Sequence, residues 1–131
     1  MIKTQFTLYM KNRPGELARV TRAFAQEKIN LEGISVAEST DVSLVQVIVS
    51  SARAARKVLK KVGIPLSEQK VVVLTMPNTP GALARIVDKL AKEKININYL
   101  YATASPGGPE TDGSVVISAM DLSRLEKLFG S

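Results

Sequence analysis

The sequence predicts an α+β chain made of two copies of one small unit, each running β-α-β-β-α. Three observations carry that expectation. The first is an internal repeat at a constant offset of 66 residues. Asn12-Arg13-Pro14-Gly15-Glu16-Leu17-Ala18-Arg19 returns as Asn78-Thr79-Pro80-Gly81-Ala82-Leu83-Ala84-Arg85, and Glu27-Lys28-Ile29-Asn30-Leu31 returns as Glu93-Lys94-Ile95-Asn96-Ile97. Between residues 12–34 and 78–100, 11 of 23 aligned positions are identical without a gap. A unit of this length copied once is a tandem domain, since a solenoid needs three or more neighbours. The second is that hydrophobic spacing switches between period two and period 3.6 in the same order in both copies. The third is shared punctuation, a polar-Pro-Gly turn between the first strand and first helix of each copy. The modules are bounded at 1–68 and 69–131.

Each element follows from local chemistry. Thr4–Met10 places Phe6, Leu8 and Met10 on one face and Thr7 and Tyr9 on the other, as a strand does. Asn12-Arg13-Pro14-Gly15 stops it, and proline fits a helix start because its missing N–H would be unpaired there. Leu17, Val20, Phe24 and Ala25 then recur at helical spacing to about Lys28. Ile29–Glu38 and Val42–Val49 read as a hairpin around Ser39-Thr40-Asp41. Ser50 is the expected cap of a second helix lined by Ala55, Val58, Leu59 and Val62, which Gly63 ends. Ile64–Glu68 is a candidate fourth strand weakened by Pro65, and Ser67–Met76 is alternatively one long strand serving both halves.

The second copy repeats the order. Lys70–Met76 is a strand, and its helix is expected to bury Leu83, Ile86, Val87, Leu90 and Ala91. Ile95–Ala104 and Ser114–Met120 are strands joined by Ser105-Pro106-Gly107-Gly108-Pro109. Asp121 caps a short helix that stops at Gly130. A fourth strand would complete a ferredoxin-like βαββαβ module. The fold class is therefore two such modules in tandem, the second lacking its last strand.

Composition excludes several chemistries. There are no cysteines and no histidines, so disulfides and thiol catalysis are absent, as are the commonest acid–base group and metal ligand. No paired acids or glycine-rich phosphate loop stand in for them. No catalytic residue, metal ligand or cofactor is therefore assigned. No run approaches the roughly 18 apolar residues of a membrane span, and no signal peptide is read before the first strand. A cytoplasmic address without membrane association is expected.

The Asn-x-Pro-Gly-x-Leu turn after a first strand, with Ile-Asn opening a second, resembles the ACT domain. Both signals occur twice here, so the chain is similar to free-standing tandem ACT proteins. That resemblance implies ferredoxin-like modules that bind free amino acids and regulate an enzyme or regulator of amino-acid metabolism. In related serine-binding ACT domains the turn Asn and second-strand Asn contact the ligand. By resemblance these are Asn12 with Asn30, and Asn78 with Asn96. Such domains can place histidine two residues before the turn Asn. Met10 and Met76 stand there instead, which points away from serine.

The chemistry of the turn agrees. A helix start offers unpaired N–H groups and partial positive charge to a carboxylate, so Pro14-Gly15-Glu16-Leu17 and Pro80-Gly81-Ala82-Leu83 are candidate cradles. An Asn side-chain oxygen accepts an ammonium proton. Met10, Leu17, Leu31, Met76, Leu83 and Ile97 flank the turns with apolar surface, so a neutral aliphatic (branched-chain) amino acid is the expected ligand. Plain structural roles stand beside these: turn-satisfying Asn, strand-opening Asn and methionine as core filler.

The net charge of +6 raises an alternative. Arg53, Arg56, Lys57, Lys60 and Lys61 form a basic helix stripe suited to nucleic acid or an acidic protein partner. Against nucleic acid, the second strand of the first copy and the third strand of both lack an aromatic residue, Tyr99 and Tyr101 lie in one copy only, and a solvated basic face is the ordinary meaning of such a stripe. The missing strand leaves a sheet edge that proteins cover, charge or pair. A homodimer is therefore expected, with ligand pockets where modules meet.

Overall fold

The computed structural model describes residues 1–104 and 106–129. The loop residue Ser105 and the expected helix stop Gly130 lie outside the described residues. The chain divides into two compact units, Thr4–Gln69 and Lys70–Ser131 with Met1–Lys3.

In the first unit, strand β1 (Ile2–Lys11) leads into helix α1 (Glu16–Gln26), strands β2 (Leu31–Glu38) and β3 (Val42–Val49), helix α2 (Ala52–Val62) and the start of β4 (Leu66–Pro77). The strand order is β2-β3-β1-β4. Leu8 pairs with Val45, and Val47 with Ile34, both antiparallel. Alternation puts Phe6, Leu8, Met10, Val45, Val47 and Val49 on one face, where Val20 and Phe24 of α1 and Ala55 and Leu59 of α2 bury them. β4 joins β1 through the Tyr9 N–H donating to the Pro65 carbonyl at 2.9 Å, and Thr7 Oγ1 donating to Gln69 Oε1 at 2.7 Å. Pro65 sits just outside the strand, where its missing N–H costs no ladder bond. Of the two alternatives for this stretch, one continuous strand is what forms.

The second unit repeats the architecture with the rest of β4, helix α3 (Ala82–Lys92), strands β5 (Ile97–Ala104) and β6 (Asp112–Ala119), and helix α4 (Leu122–Leu128). β6 lies between β4 and β5, with Ile117 opposite both Val72 and Leu100. Val72, Leu90, Val115, Ile117 and Leu125 form its core. After α4 the module adds no strand among the described residues. The place beside β4 is taken by Met1–Lys3, whose Met1 carbonyl accepts the Val73 N–H at 2.8 Å.

Several expectations need correction. Ser51, not Ser50, caps α2, accepting the Ala54 N–H at 3.2 Å, while Ser50 Oγ accepts the Asn30 N–H at 2.9 Å. Leu17, Leu83 and Val87, expected in the core, are each 38% exposed, and Ala25 and Ala91 are exposed as well. Only Val20 and Phe24 of the first helix and Ala82 and Leu90 of its repeat counterpart are buried, and the broader apolar face extends past that contact. β2 and β5 begin two residues later than expected. The repeated Glu-Lys-Ile is a helix C-cap: Lys28 and Lys94 take left-handed backbone at φ 57° and 55°. Ile29 and Ile95 then donate back to the Phe24 and Leu90 carbonyls at 2.9 Å each. That is the 6→1 bond of a Schellman motif, whose trailing apolar residue packs onto the helix.

Candidate functional site

Both Pro-Gly turns form by the same geometry. Gly15 (φ 89°) and Gly81 (φ 85°) are left-handed N-cap residues, a conformation that costs glycine little and side chains much. Neither helix start receives a side-chain cap, and the N–H groups of Leu17 and Leu83 have no backbone acceptor among the described residues. The second helix of each module differs: Ser51 and Asp121 accept the Ala54 and Arg124 N–H groups at 3.2 and 3.1 Å. In each of those helices one first-turn N–H is satisfied by the cap side chain. At the two turns it is left open.

The turn asparagines tether each turn to a neighbouring loop. Asn12 Nδ2 donates to Glu38 Oε1 at 3.0 Å, at an exposed site. Asn78 Nδ2 donates to the Gly108 carbonyl and to Thr111 Oγ1, both at 3.0 Å and half-buried. Pro14 and Pro80 are exposed on the turn. Met10 (4% exposed) and Met76 (8%) are core residues, although Met10 also reaches a cleft beside the turn. Leu31 and Ile97 pack on their module cores.

Asn30 and Asn96 are exposed and precede β2 and β5. Antiparallel pairing of β3 with both β1 and β2 makes β2 parallel to β1. Asn30 therefore lies at the opposite end of the sheet from the Asn12 turn, separated by an eight-residue strand, roughly 26 Å at about 3.3 Å per residue. The same holds for Asn96 and Asn78. Within one module the structure does not bring the two asparagines together.

Each turn opens onto a cleft. In the first module about 430 Å³ is lined by Met10, Arg13, Glu16, Arg19 and Ile64 among others. In the second, about 550 Å³ is lined by Leu74, Ala82, Arg85, Ile86 and Phe129 among others. Arg19 and Arg85 were not singled out from the sequence, yet both stand inside the duplicated block, and that duplication was the available signal. Glu16 bonds Arg19 at 3.1 Å and Arg13 at 3.2 Å. Hydrogen bonds from Arg19 and then Arg13 hold its carboxyl below the ordinary carboxylate value.

The basic stripe is divided. Arg53, Lys57, Lys60 and Lys61 line a cleft of about 670 Å³ with Glu27 and Ser51, whereas Arg56 is held by Glu68 at 2.7 and 2.9 Å. Tyr101 is partly buried, and burial, with Tyr99 beside it, pushes its phenol up. A base-stacking platform needs open ring faces. Among the described residues no group of three or more His, Cys, Asp or Glu gathers to hold a metal, and no helix is long and apolar enough to cross a membrane.

Two ferredoxin-like modules with matched, uncapped helix starts define the class of protein. The family described as ACT domain pair matches residues 1–108, and the chain belongs to that family. Among solved structures, a protein from Bacteroides thetaiotaomicron is 31% identical, covering 98% of this chain and 87% of that one, with a TM-score of 0.89. The ligand-free regulatory subunit of aspartate kinase from Thermus thermophilus is 18% identical over 97% of this chain and 90% of that one, with a TM-score of 0.72. Its counterpart from Thermus flavus is also 18% identical, over 97% and 89%, with a TM-score of 0.65. At that identity the two subunits share the fold alone. Among curated proteins nothing matches this chain.

Proposed function

We propose that this chain is a non-catalytic, amino-acid-binding regulatory protein acting on an enzyme or regulator of amino-acid metabolism. The observation that carries the reading is the contrast in capping. Both turn helices leave their starts open, while both second helices are capped by their own side chains. An open helix start of this kind receives a carboxylate. Family membership supports the regulatory part, and the fold is shared with proteins that are themselves regulatory subunits.

A neutral aliphatic amino acid is the proposed ligand. Leu17 and Leu83 present exposed apolar surface one residue past the helix start, and apolar surface beside the open N–H groups suits a leucine, isoleucine or valine side chain. A homodimer in the cytoplasm is the proposed working form. A site that uses both a turn Asn and a strand-opening Asn takes them from two modules, because one module holds them at opposite ends, and a second molecule supplies a second module. Antiparallel pairing of edge strands sets the start of one strand against the end of its mate. β5 suits that role better than β2: β2 carries Glu32 and Glu38, whereas no residue of β5 is charged, and charge is a usual guard of a free edge.

Thermal melting with each of the twenty amino acids tests the reading. Leucine, isoleucine or valine should raise the melting temperature, as ligands selective for the folded state do. Tight calorimetric binding of aspartate, lysine or arginine with the aliphatics silent would overturn the ligand class. No shift with any amino acid would overturn the function.

A further inference from the structure

The two clefts beside the turns are related by the repeat, but they differ in one respect that bears on occupancy. In the first, Glu16 puts a carboxylate between Arg13 and Arg19, at 3.2 and 3.1 Å, and its side chain is only 16% exposed. In the second, Ala82 stands where Glu16 would be, and Thr79 where Arg13 would be. Arg85, the counterpart of Arg19, forms no ion pair among the described residues. It lies across the turn, since a Cβ on Gly81 would come within 3.3 Å of Arg85 Nη1. The surrounding cleft, about 550 Å³, holds three cations (Arg85, Lys89, Lys92) and one acid, Asp88. Its apolar wall is Leu74, Ile86 and Phe129, with Lys89 Nζ fixed 5.5 Å above the Phe129 ring centre. The volume falls within the range of small-molecule sites.

We infer that only the second cleft takes a small carboxylate ligand, seated on Arg85, and that the Glu16 carboxylate occupies the equivalent position in the first. This inference rests on the reading of the chain as an amino-acid-binding protein and assigns its site to one module. The first module shows what such a seat looks like when filled: a carboxylate at hydrogen-bond distance from the repeated arginine, at the start of the repeated helix. A planar guanidinium matches a carboxylate with two parallel N–H groups. The apolar wall of the second cleft is chemically suited to an aliphatic side chain, and in the first cleft Glu16 already engages both arginines, Arg13 and Arg19.

Calorimetric titration of the full chain with leucine, isoleucine and valine tests this, with isocaproate (leucine without its amine) in parallel. The parent should bind about one ligand per chain. Arg85→Ala, at an exposed position, should melt like the parent and lose roughly tenfold or more in affinity, as expected for about 1.4 kcal/mol or more of lost interaction. Glu16→Ala should raise the count to two. Two ligands per parent chain, or unchanged affinity in Arg85→Ala, would overturn the inference. A count of one in Glu16→Ala would overturn the blocking role of Glu16. Binding of isocaproate alone, lost in Arg85→Ala, would keep the asymmetry and sink the amino-acid reading. If no probe binds, both fall.

Discussion

Val73 donates its N–H to the Met1 carbonyl at 2.8 Å, so the second module takes its outermost pairing from residues 72 positions upstream. Deleting Met1–Lys3 should therefore loosen the Lys70 side of the chain and leave the Thr4–Gln69 core intact. The loss is expected to be about 1–3 kcal/mol, the scale of one or two backbone bonds left unmade. Hydrogen exchange reads it directly. The Val73 amide should lose protection while Val45 and Val47 keep theirs, and equal loss in both units would contradict the assignment.

The two turn asparagines should not behave alike. Asn78→Ala removes two half-buried hydrogen bonds and is expected to lower stability by about 1–2 kcal/mol, whereas Asn12→Ala removes one exposed bond and should melt nearly as the parent does. In leucine titrations Asn78→Ala should also weaken binding by about 1.5–3 kcal/mol, the range for a hydrogen bond to a charged group, and Asn12→Ala should leave it unchanged. The opposite order would place the ligand at the first turn.

Glu16 ties stability to pH. Its folded value lies below the ordinary 4.5, first through the Arg19 hydrogen bond and then through Arg13. A depressed carboxyl contributes stability above its unfolded value and loses it as pH falls through the folded one. Glu16→Gln should therefore flatten the decline of melting temperature on the acid side of 4.5. The effect should be modest because the ion pair faces solvent. Parallel curves for parent and variant would mean that the pair carries no net interaction.

A charge on the uncharged edge should separate the proposed dimer. Thr103 is exposed on β5, and Thr103→Lys places a cation where a second strand would pair, a device natural edges use against association. Light scattering should give a dimer for the parent and 14.2 kDa for the variant. A parent that is already a monomer, with and without leucine, would remove β5 pairing from the account.

Much of the fold was legible because its causes are local. Period-two spacing found the strands of Phe6, Leu8 and Met10, and Gly63 marked the end of α2 by its left-handed backbone at φ 77°. The repeat placed both turns. What local chemistry does not encode was missed. The pairing of Met1 with Val73 spans most of a domain's length in sequence, and no spacing rule sees it. Ile-Asn reads as the opening of a strand, although Ile29 and Ile95 first close the preceding helix. Leu83 and Val87 fit a buried helical stripe, and only tertiary packing shows them exposed. The candidate site was visible as a set of residues but not as an arrangement, because the separation of Asn12 from Asn30 depends on strand direction.

The Met1–Val73 pairing also sets a timetable. The Thr4–Gln69 unit has all its residues once Gln69 has been synthesised. The other unit has to recruit a segment that left the ribosome 72 residues before Val73. At about 5–20 residues per second that segment waits roughly 4–14 s without its partner. During that interval it is open to trimming or modification, and any change made there would be built into a module that does not yet exist.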